Sequence, residues 1–316
     1  MMRFLIVGAG AIGGYFGGRL VQKGENVTFF VRPSKKSQLK ENGLIVKSVH
    51  GDFQTSIRAI TYGEAADPFD CIIISVKAYH LPQLQFDLEP YIGDHTMILP
   101  LLNGYEHFDS LRKQFGPEKV LGGLCYIETT LDHDGSVVQT SPFHRIVFGE
   151  WNGVQSERTQ LLLNHLDHAG FTVARSQDIQ REVWQKYIFV ASLSGITTLM
   201  DASVGTILAT AESRAIYEKL LHEIVTLARN AGMPIDSEME AHTLKTIESL
   251  RPEMMSSMQR DMHKRLPIEA SHLHGSLLAL ASASNAVYPI LETVYARLKV
   301  YESLLDTVEN SNFKVN

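Results

Sequence analysis

Apolar positions follow two different rhythms along the chain. Up to about residue 178, short branched blocks alternate with amphipathic stretches; beyond it, almost every segment repeats at helical spacing. Phe4-Leu5-Ile6-Val7 is apolar at every position and runs into glycines, which fits a strand covered on both faces in a parallel sheet. A helix is predicted from Gly13 to Lys23, with Gly24 as its stop. Asn26 to Val31 then reads as a second strand and completes a strand-helix-strand unit. Further strands are predicted at Leu44-Val49, Cys71-Val76, Met97-Leu101 and Val120-Gly123, with an alternating strand from Val137 to Phe148 and a helix from Ser156 to Ala169.

This alternation predicts an α/β fold: an N-terminal Rossmann-type, doubly wound sheet over residues 1–178. From Glu182 to Leu305 the helical rhythm is broken only at Gly232-Met233-Pro234, Arg251-Pro252, Leu266-Pro267 and Tyr288-Pro289, so residues 179–316 are expected to form a C-terminal all-helical domain. The chain contains no internal repeat, low-complexity tract or long linker. A site between the two domains is the natural expectation.

Composition narrows the function. The 316 residues are 44% hydrophobic and 20% charged, ordinary for a globular protein of two domains, and the net charge of -6 argues against a nucleic-acid binder. Cys71 and Cys125 lie outside any CxxC pattern, which supports neither a disulfide framework nor a zinc knuckle and fits reduced thiols in a cytoplasmic protein. The apolar start is broken by Gly8, Gly10, Gly13 and Gly14, unlike a signal peptide, and no run is long enough to span a membrane. Metal chemistry is not expected despite 13 histidines: no HExxH occurs, and His272 and His274, two apart, diverge on a helix.

Gly8-Ala9-Gly10-Ala11-Ile12-Gly13 follows the first strand and opens a helix, the context in which a GxGxxG pattern signifies a dinucleotide site. The first glycine permits the tight turn, the second lets the backbone approach a pyrophosphate, and the third allows close helix-strand packing. The helix N-terminus attracts the phosphate charge. A plain glycine-rich packing turn is the alternative. After the second strand, where an NAD site carries an acid, the sequence is Val31-Arg32-Pro33-Ser34-Lys35-Lys36. A guanidinium there can take a 2'-phosphate through paired charge-assisted bonds, helped by Ser34 and one of the lysines, which points to NADP(H) as cofactor. A solvated basic loop is the alternative.

The glycine loop, Arg32, Ser75-Val76-Lys77, Leu102-Asn103-Gly104, Trp184-Gln185-Lys186, and Ser256-Ser257-Met258 followed by Ile268-Glu269 occur in the order and spacing of the ketopantoate reductase family, which the chain resembles from Arg3 to about Tyr301. The resemblance implies an N-terminal Rossmann domain, a C-terminal helical domain, and NADPH-dependent reduction of 2-dehydropantoate to pantoate in pantothenate biosynthesis. It also implies that Lys186 is catalytic, since an ammonium can stabilise charge on a keto oxygen receiving hydride and then deliver a proton. Without it, Lys186 reads as a solvent-facing helix lysine. Glu269, two residues after Pro267 in the first turn of a helix, suits the helix dipole whatever its function. The resemblance gives it a cleft-facing role toward the cofactor and Lys186. Asn103-Gly104 is equally a common turn dipeptide. The family reading puts Asn103 near the nicotinamide and substrate oxygen, with Lys77 bordering the cofactor.

The chain departs from the family around the substrate. Where pantoate-forming members carry asparagines one and two turns after the lysine, Val190 and Ser194 stand here, on the same face as Lys186. Met254 replaces a further asparagine, whereas Ser257 matches the family's substrate-binding serine. The expected substrate is a small 2-keto acid held by Asn103, Lys186, Val190, Ser194 and Ser257 in a pocket less polar than the family's. Reduction of another keto acid, and non-catalytic NADPH sensing, are the competing functions. No nucleic acid, membrane or metal partner is expected, and a homodimer is compatible with the sequence.

Overall fold

A computed structural model describes residues 1–281 and 286–313. The chain divides into two compact units: Met1–Leu102 with His107–Gln180, and Asn103–Glu106 with Arg181–Asn316.

The first unit contains two five-stranded sheets. Strands β1 (Arg3–Val7), β2 (Asn26–Phe30), β5 (Arg58–Ile60), β6 (Phe69–Ile74) and β7 (Ile92–Pro100) form a wholly parallel sheet in the order β5-β2-β1-β6-β7. The N-terminal Rossmann sheet is thus present. Its register aligns Val7 with Phe30 on one side and with Ile74 on the other, so β1, β2 and β6 end on one edge. The order reverses between β1 and β6, the switch point at which open α/β sheets bind ligands.

The second sheet was not foreseen. Strand β3 (Leu44–Ser48), expected in the Rossmann sheet, instead pairs antiparallel with β4 (Phe53–Thr55) and parallel with the start of β9 (Val137–Gly149). The end of β9 takes β10 (Thr172–Arg175) on that edge, while β8 (Gly122–Leu131) lines the other. The reason lies in helix α1 (Ala11–Lys23), which has two glycine stripes at four-residue spacing. A Cβ on Gly17 would sit 2.7 Å from Phe29 and 3.0 Å from Ile6 of the first sheet. On Gly14 it would meet Val137 at 2.7 Å, and on Gly18 Leu44 at 2.9 Å, both in the second sheet. The helix is sandwiched. Around it, α2 (Pro33–Asn42), α3 (Leu81–Leu88), α4 (Glu106–Phe115) and α5 (Glu157–Leu166) complete the unit, and Ser156 caps α5 by accepting the Thr159 amide.

The second unit is helical: α6 (Ile179–Met200), α7 (Val204–Ala209), α8 (Ala211–Asn230), α9 (Met239–Glu248), α10 (Ser257–His263), α11 (Ser276–Ala281) and α12 (Pro289–Phe313). The glycine and proline breaks fall between these helices; residues 282–285, inside the stretch predicted as helical, lie outside the described residues. Trp184, Tyr187, Ile188, Ala191 and Ile196 of α6 are buried with Tyr217, Leu221, Leu291 and Val294. Its buried hydroxyls are satisfied by the helix itself, with Ser194 Oγ donating to Val190 O at 2.7 Å and Thr198 Oγ1 to Ser194 O at 2.6 Å. Among the described residues no helix is long and apolar enough to cross a membrane, and no His, Cys, Asp and Glu side chains gather as a metal site.

Candidate functional site

In the first unit the loop after β1 is shaped by its three pattern glycines, each for a different reason. Gly8 has φ +93°, a left-handed conformation that favours glycine, and its amide donates to Phe30 O at 3.0 Å. Gly13 is jammed: an added Cβ would stand 2.1 Å from Gly8 O and 2.2 Å from Ser75 Oγ. Gly10 is the opposite, since a Cβ there would meet nothing among the described residues within 4 Å. It caps α1 without a side chain of its own to accept from the first turn, and that turn holds no acid. The helix therefore presents Ala11, Ile12 and Gly13 with an open approach over bare backbone, a cradle that fits the pyrophosphate of the expected NADP(H). Ser75, at the end of β6, fixes this loop by donating to Val7 O at 3.0 Å and Gly8 O at 3.3 Å.

Arg32 stands where expected, as the exposed N-cap of α2, with Pro33 beginning the helix. Its Nη2 lies 2.7 Å from His80 Nε2, in the 3-10 turn Ala78–His80 just beyond Lys77. The expected lysine helpers are engaged elsewhere. Lys36 pairs with Glu64 at 2.6 Å, which holds that carboxylate below its ordinary range, and Lys35 donates to Gln38 at 3.0 Å while burial lowers its pKa. Ser34 is exposed, and Lys77 is half-buried.

In the second unit, three separate stretches of chain are joined around a π turn, Ser271–Gly275. Lys186, half-buried, lies in the second turn of α6, between buried Trp184 and Tyr187. Tyr187 Oη donates to Leu273 O at 2.6 Å and meets Ser276 Oγ at 2.7 Å; burial raises its pKa. From the turn, His274 Nε2 donates to Ala191 O of α6 at 3.0 Å. His274 is fully enclosed, its Nδ1 has no hydrogen-bond partner among the described residues, and burial lowers its pKa to about 4. Glu269, half-buried, stands just ahead of the helix rather than within its first turn, and its carbonyl accepts the Leu273 amide.

The third stretch is Asn103–Glu106. His272 Nε2 donates to the Asn103 backbone carbonyl at 2.9 Å, and the Tyr105 ring lies 4.9 Å from that of Trp184. Gly104 has φ +91°, and a Cβ on it would come 2.8 Å from His272 Nε2. The two histidines do diverge, one to the Asn103 turn and one to α6. Their anchoring roles, like those of His80 and Tyr187, were not foreseen, because each partner is a backbone atom or side chain remote in sequence.

The residues expected around the substrate are unequal. Val190 packs against the helical core, and Ser194 is only 2% exposed with its hydroxyl turned into its own helix. Ser256 is buried as the cap of α10, accepting the Gln259 amide and a bond from Thr197 Oγ1 at 2.8 Å, whereas Ser257 is exposed. Met254 packs against the same core.

The family model for ketopantoate reductase PanE/ApbA matches residues 4–153, and that for its C-terminal domain matches residues 178–302. The chain is 44% identical over 302 residues to the uncharacterized oxidoreductase YkpB of Bacillus subtilis, covering 96% of this chain and 99% of that one. It resembles the crystal structure of 2-dehydropantoate 2-reductase from Geobacter metallireducens with a TM-score of 0.86 at 26% identity, covering 94% and 99% of the two chains. The fold is shared at the same TM-score of 0.86, with 21% identity and coverage of 96% and 100%, by a D-mandelate dehydrogenase solved with NADH and anilino(oxo)acetate.

Proposed function

The chain belongs to the ketopantoate reductase family, a family of oxidoreductases, and on that premise we propose that it is a cytoplasmic NADPH-dependent reductase of a small 2-keto acid, 2-dehydropantoate being the first candidate. The observation that carries this reading is the bare cradle at Gly10, open above the N-terminus of α1 at the switch point of a parallel sheet. NADPH bound there supplies the hydride. The amides of Ala11, Ile12 and Gly13 hold the pyrophosphate, Arg32 takes the 2'-phosphate, and Lys77 borders the cofactor.

Lys186 Nζ stabilises the negative charge that develops on the keto oxygen and gives that oxygen its proton. Glu269 orients Lys186 and the ribose side of the cofactor. Asn103 lies by the nicotinamide and substrate oxygen, and Ser257 binds the substrate through its exposed hydroxyl. The product of 2-dehydropantoate would be pantoate, for pantothenate synthesis. A second reading, another 2-keto acid, is favoured by one observation: Ser194 uses its hydroxyl on Val190 O, and Val190 has none to offer, which leaves less polarity for a hydroxylated substrate.

The test combines binding with turnover. NADPH should bind more tightly than NADH, and Arg32→Ala should weaken NADPH alone by about 1–3 kcal/mol, the worth of a charge-assisted bond. Equal affinities in the unmodified protein refute the cofactor assignment. A panel of 2-keto acids including 2-dehydropantoate, followed by loss of NADPH absorbance, identifies the substrate, and no turnover on any of them refutes the enzyme reading.

A further inference from the structure

The π turn does more than lead into α11. From its first half His272 reaches the Asn103 carbonyl, and from its second half His274 reaches Ala191 of α6, while Tyr187, the neighbour of Lys186, takes the Leu273 carbonyl. A π turn adds a residue to the helical circuit. Here the Leu273 carbonyl receives Tyr187 Oη from α6 at 2.6 Å, and the His272 carbonyl receives Ser276 Oγ from the following turn at 2.5 Å. The segments bearing Asn103, Lys186 and Glu269 are thereby tied to one turn. Two of these ties hold α6, which its buried apolar side chains already fix. The tie to Asn103 is different in kind. Gly104, at φ +91°, is in a conformation that imposes little restraint on glycine, so the direction of the turn depends on what grips it. The His272 ring fills the space beside Gly104, its Nε2–H holds the carbonyl before it, and its Nδ1 lies 3.8 Å from Glu106 Oε2.

We propose that His272 is a positioning residue for the reduction, fixing the Asn103-Gly104 turn through its Nε2–H so that the Asn103 side chain meets the reacting groups in one orientation. The proposal rests on the reading above, in which Asn103 borders the nicotinamide and the keto oxygen. Its chemistry is orientation rather than proton transfer: a misplacement of about 1 Å can cost two orders of magnitude in rate.

The experiment compares His272→Phe, which keeps ring bulk without a donor, with His272→Gln, whose amide can donate to the same carbonyl. Both are assayed as the full chain with NADPH and whichever 2-keto acid the unmodified protein reduces, beside thermal melts and amide exchange of residues 103–106. The expected result is a fall of kcat by about 10- to 100-fold in His272→Phe, faster exchange at 103–106, an unchanged melting midpoint, and recovery of most of the turnover in His272→Gln. Turnover within twofold of the unmodified protein in His272→Phe overturns the proposal, even if exchange accelerates. Equal loss in both variants at unchanged stability also overturns it, because bulk at the ring would then be the requirement. If His272→Phe melts early, the Gln variant decides alone: near-normal turnover supports the donor role and a tenfold loss overturns it. An unmodified protein without turnover on any keto acid defeats the functional reading first, and the proposal with it.

Discussion

The glycine loop and the π turn, the two regions on which the proposed function rests, are built differently, one from backbone and one from side chains. At Gly8–Gly13 the working groups are amides, and what matters is where side chains are missing: a left-handed turn at Gly8, open space at Gly10, no room at Gly13. Around Ser271–Gly275 the work is done by Tyr187, His272 and His274, which bind carbonyls of other segments. The first region is contiguous in sequence and has no room for added atoms at Gly13, while the space at Gly10 is open. The second is assembled from stretches about 80 residues apart and depends on the hydrogen-bonding chemistry of individual side chains.

The sharpest way to break this comparison is Lys186→Ala. If the helical unit supplies the charge stabilisation and proton, turnover should fall by about two to four orders of magnitude, while NADPH binding, which the proposal assigns to the glycine loop, survives. Steady-state kinetics beside direct NADPH titration decides it; unchanged kcat returns Lys186 to the status of a surface lysine. Next in size is Gly10→Val. Its φ of -81° suits any residue and the space above it is empty, so folding should be unaffected by circular dichroism. NADPH affinity should fall about 100-fold, through the loss of phosphate contacts together worth about 3 kcal/mol. Retained affinity would mean that the pyrophosphate binds elsewhere.

The smallest effect separates the two regions by pH. His274 titrates near 4 in the fold against an ordinary value of 6.5, so the unfolded chain takes up the proton first as pH falls. The stability of the neutral, buried ring is full above pH 6.5 and is lost as pH falls toward 4. Between pH 7 and 5 the helical unit should lose about 2 kcal/mol, read as faster exchange of α6 amides. His274→Gln, neutral at both values, should flatten the difference. An unmodified protein with equal protection at both pH values would contradict the assignment.

Much of the fold was legible because its determinants are local. The run Phe4–Val7, the stop at Gly24 and the Ser156 cap act on residues within a turn of themselves, and each element formed within a few residues of its expected bounds. Leu44–Ser48 was misplaced because its apolar pattern specifies a strand but not which sheet receives it. That choice is made by the bare faces of Gly14 and Gly18, read only when Val137 and Leu44 are seen against them. In the candidate site, Gly10 and Arg32 carry a local signal, and the structure sets them as the caps of α1 and α2. His272 carries none: a histidine on a helix looks the same whether it meets water or the Asn103 carbonyl, and only the folded chain brings position 103 to it.

Helix α1 contains four glycines, each costing about 1 kcal/mol relative to alanine in a helix interior. An isolated segment of this composition does not hold a helix in water. Its helical state therefore depends on the two sheets that pack against Gly14, Gly17 and Gly18, so the first turn of α1 is only as rigid as their grip on it. A dinucleotide that binds only this folded end, as the proposed function has it, would stabilise the whole first unit by mass action.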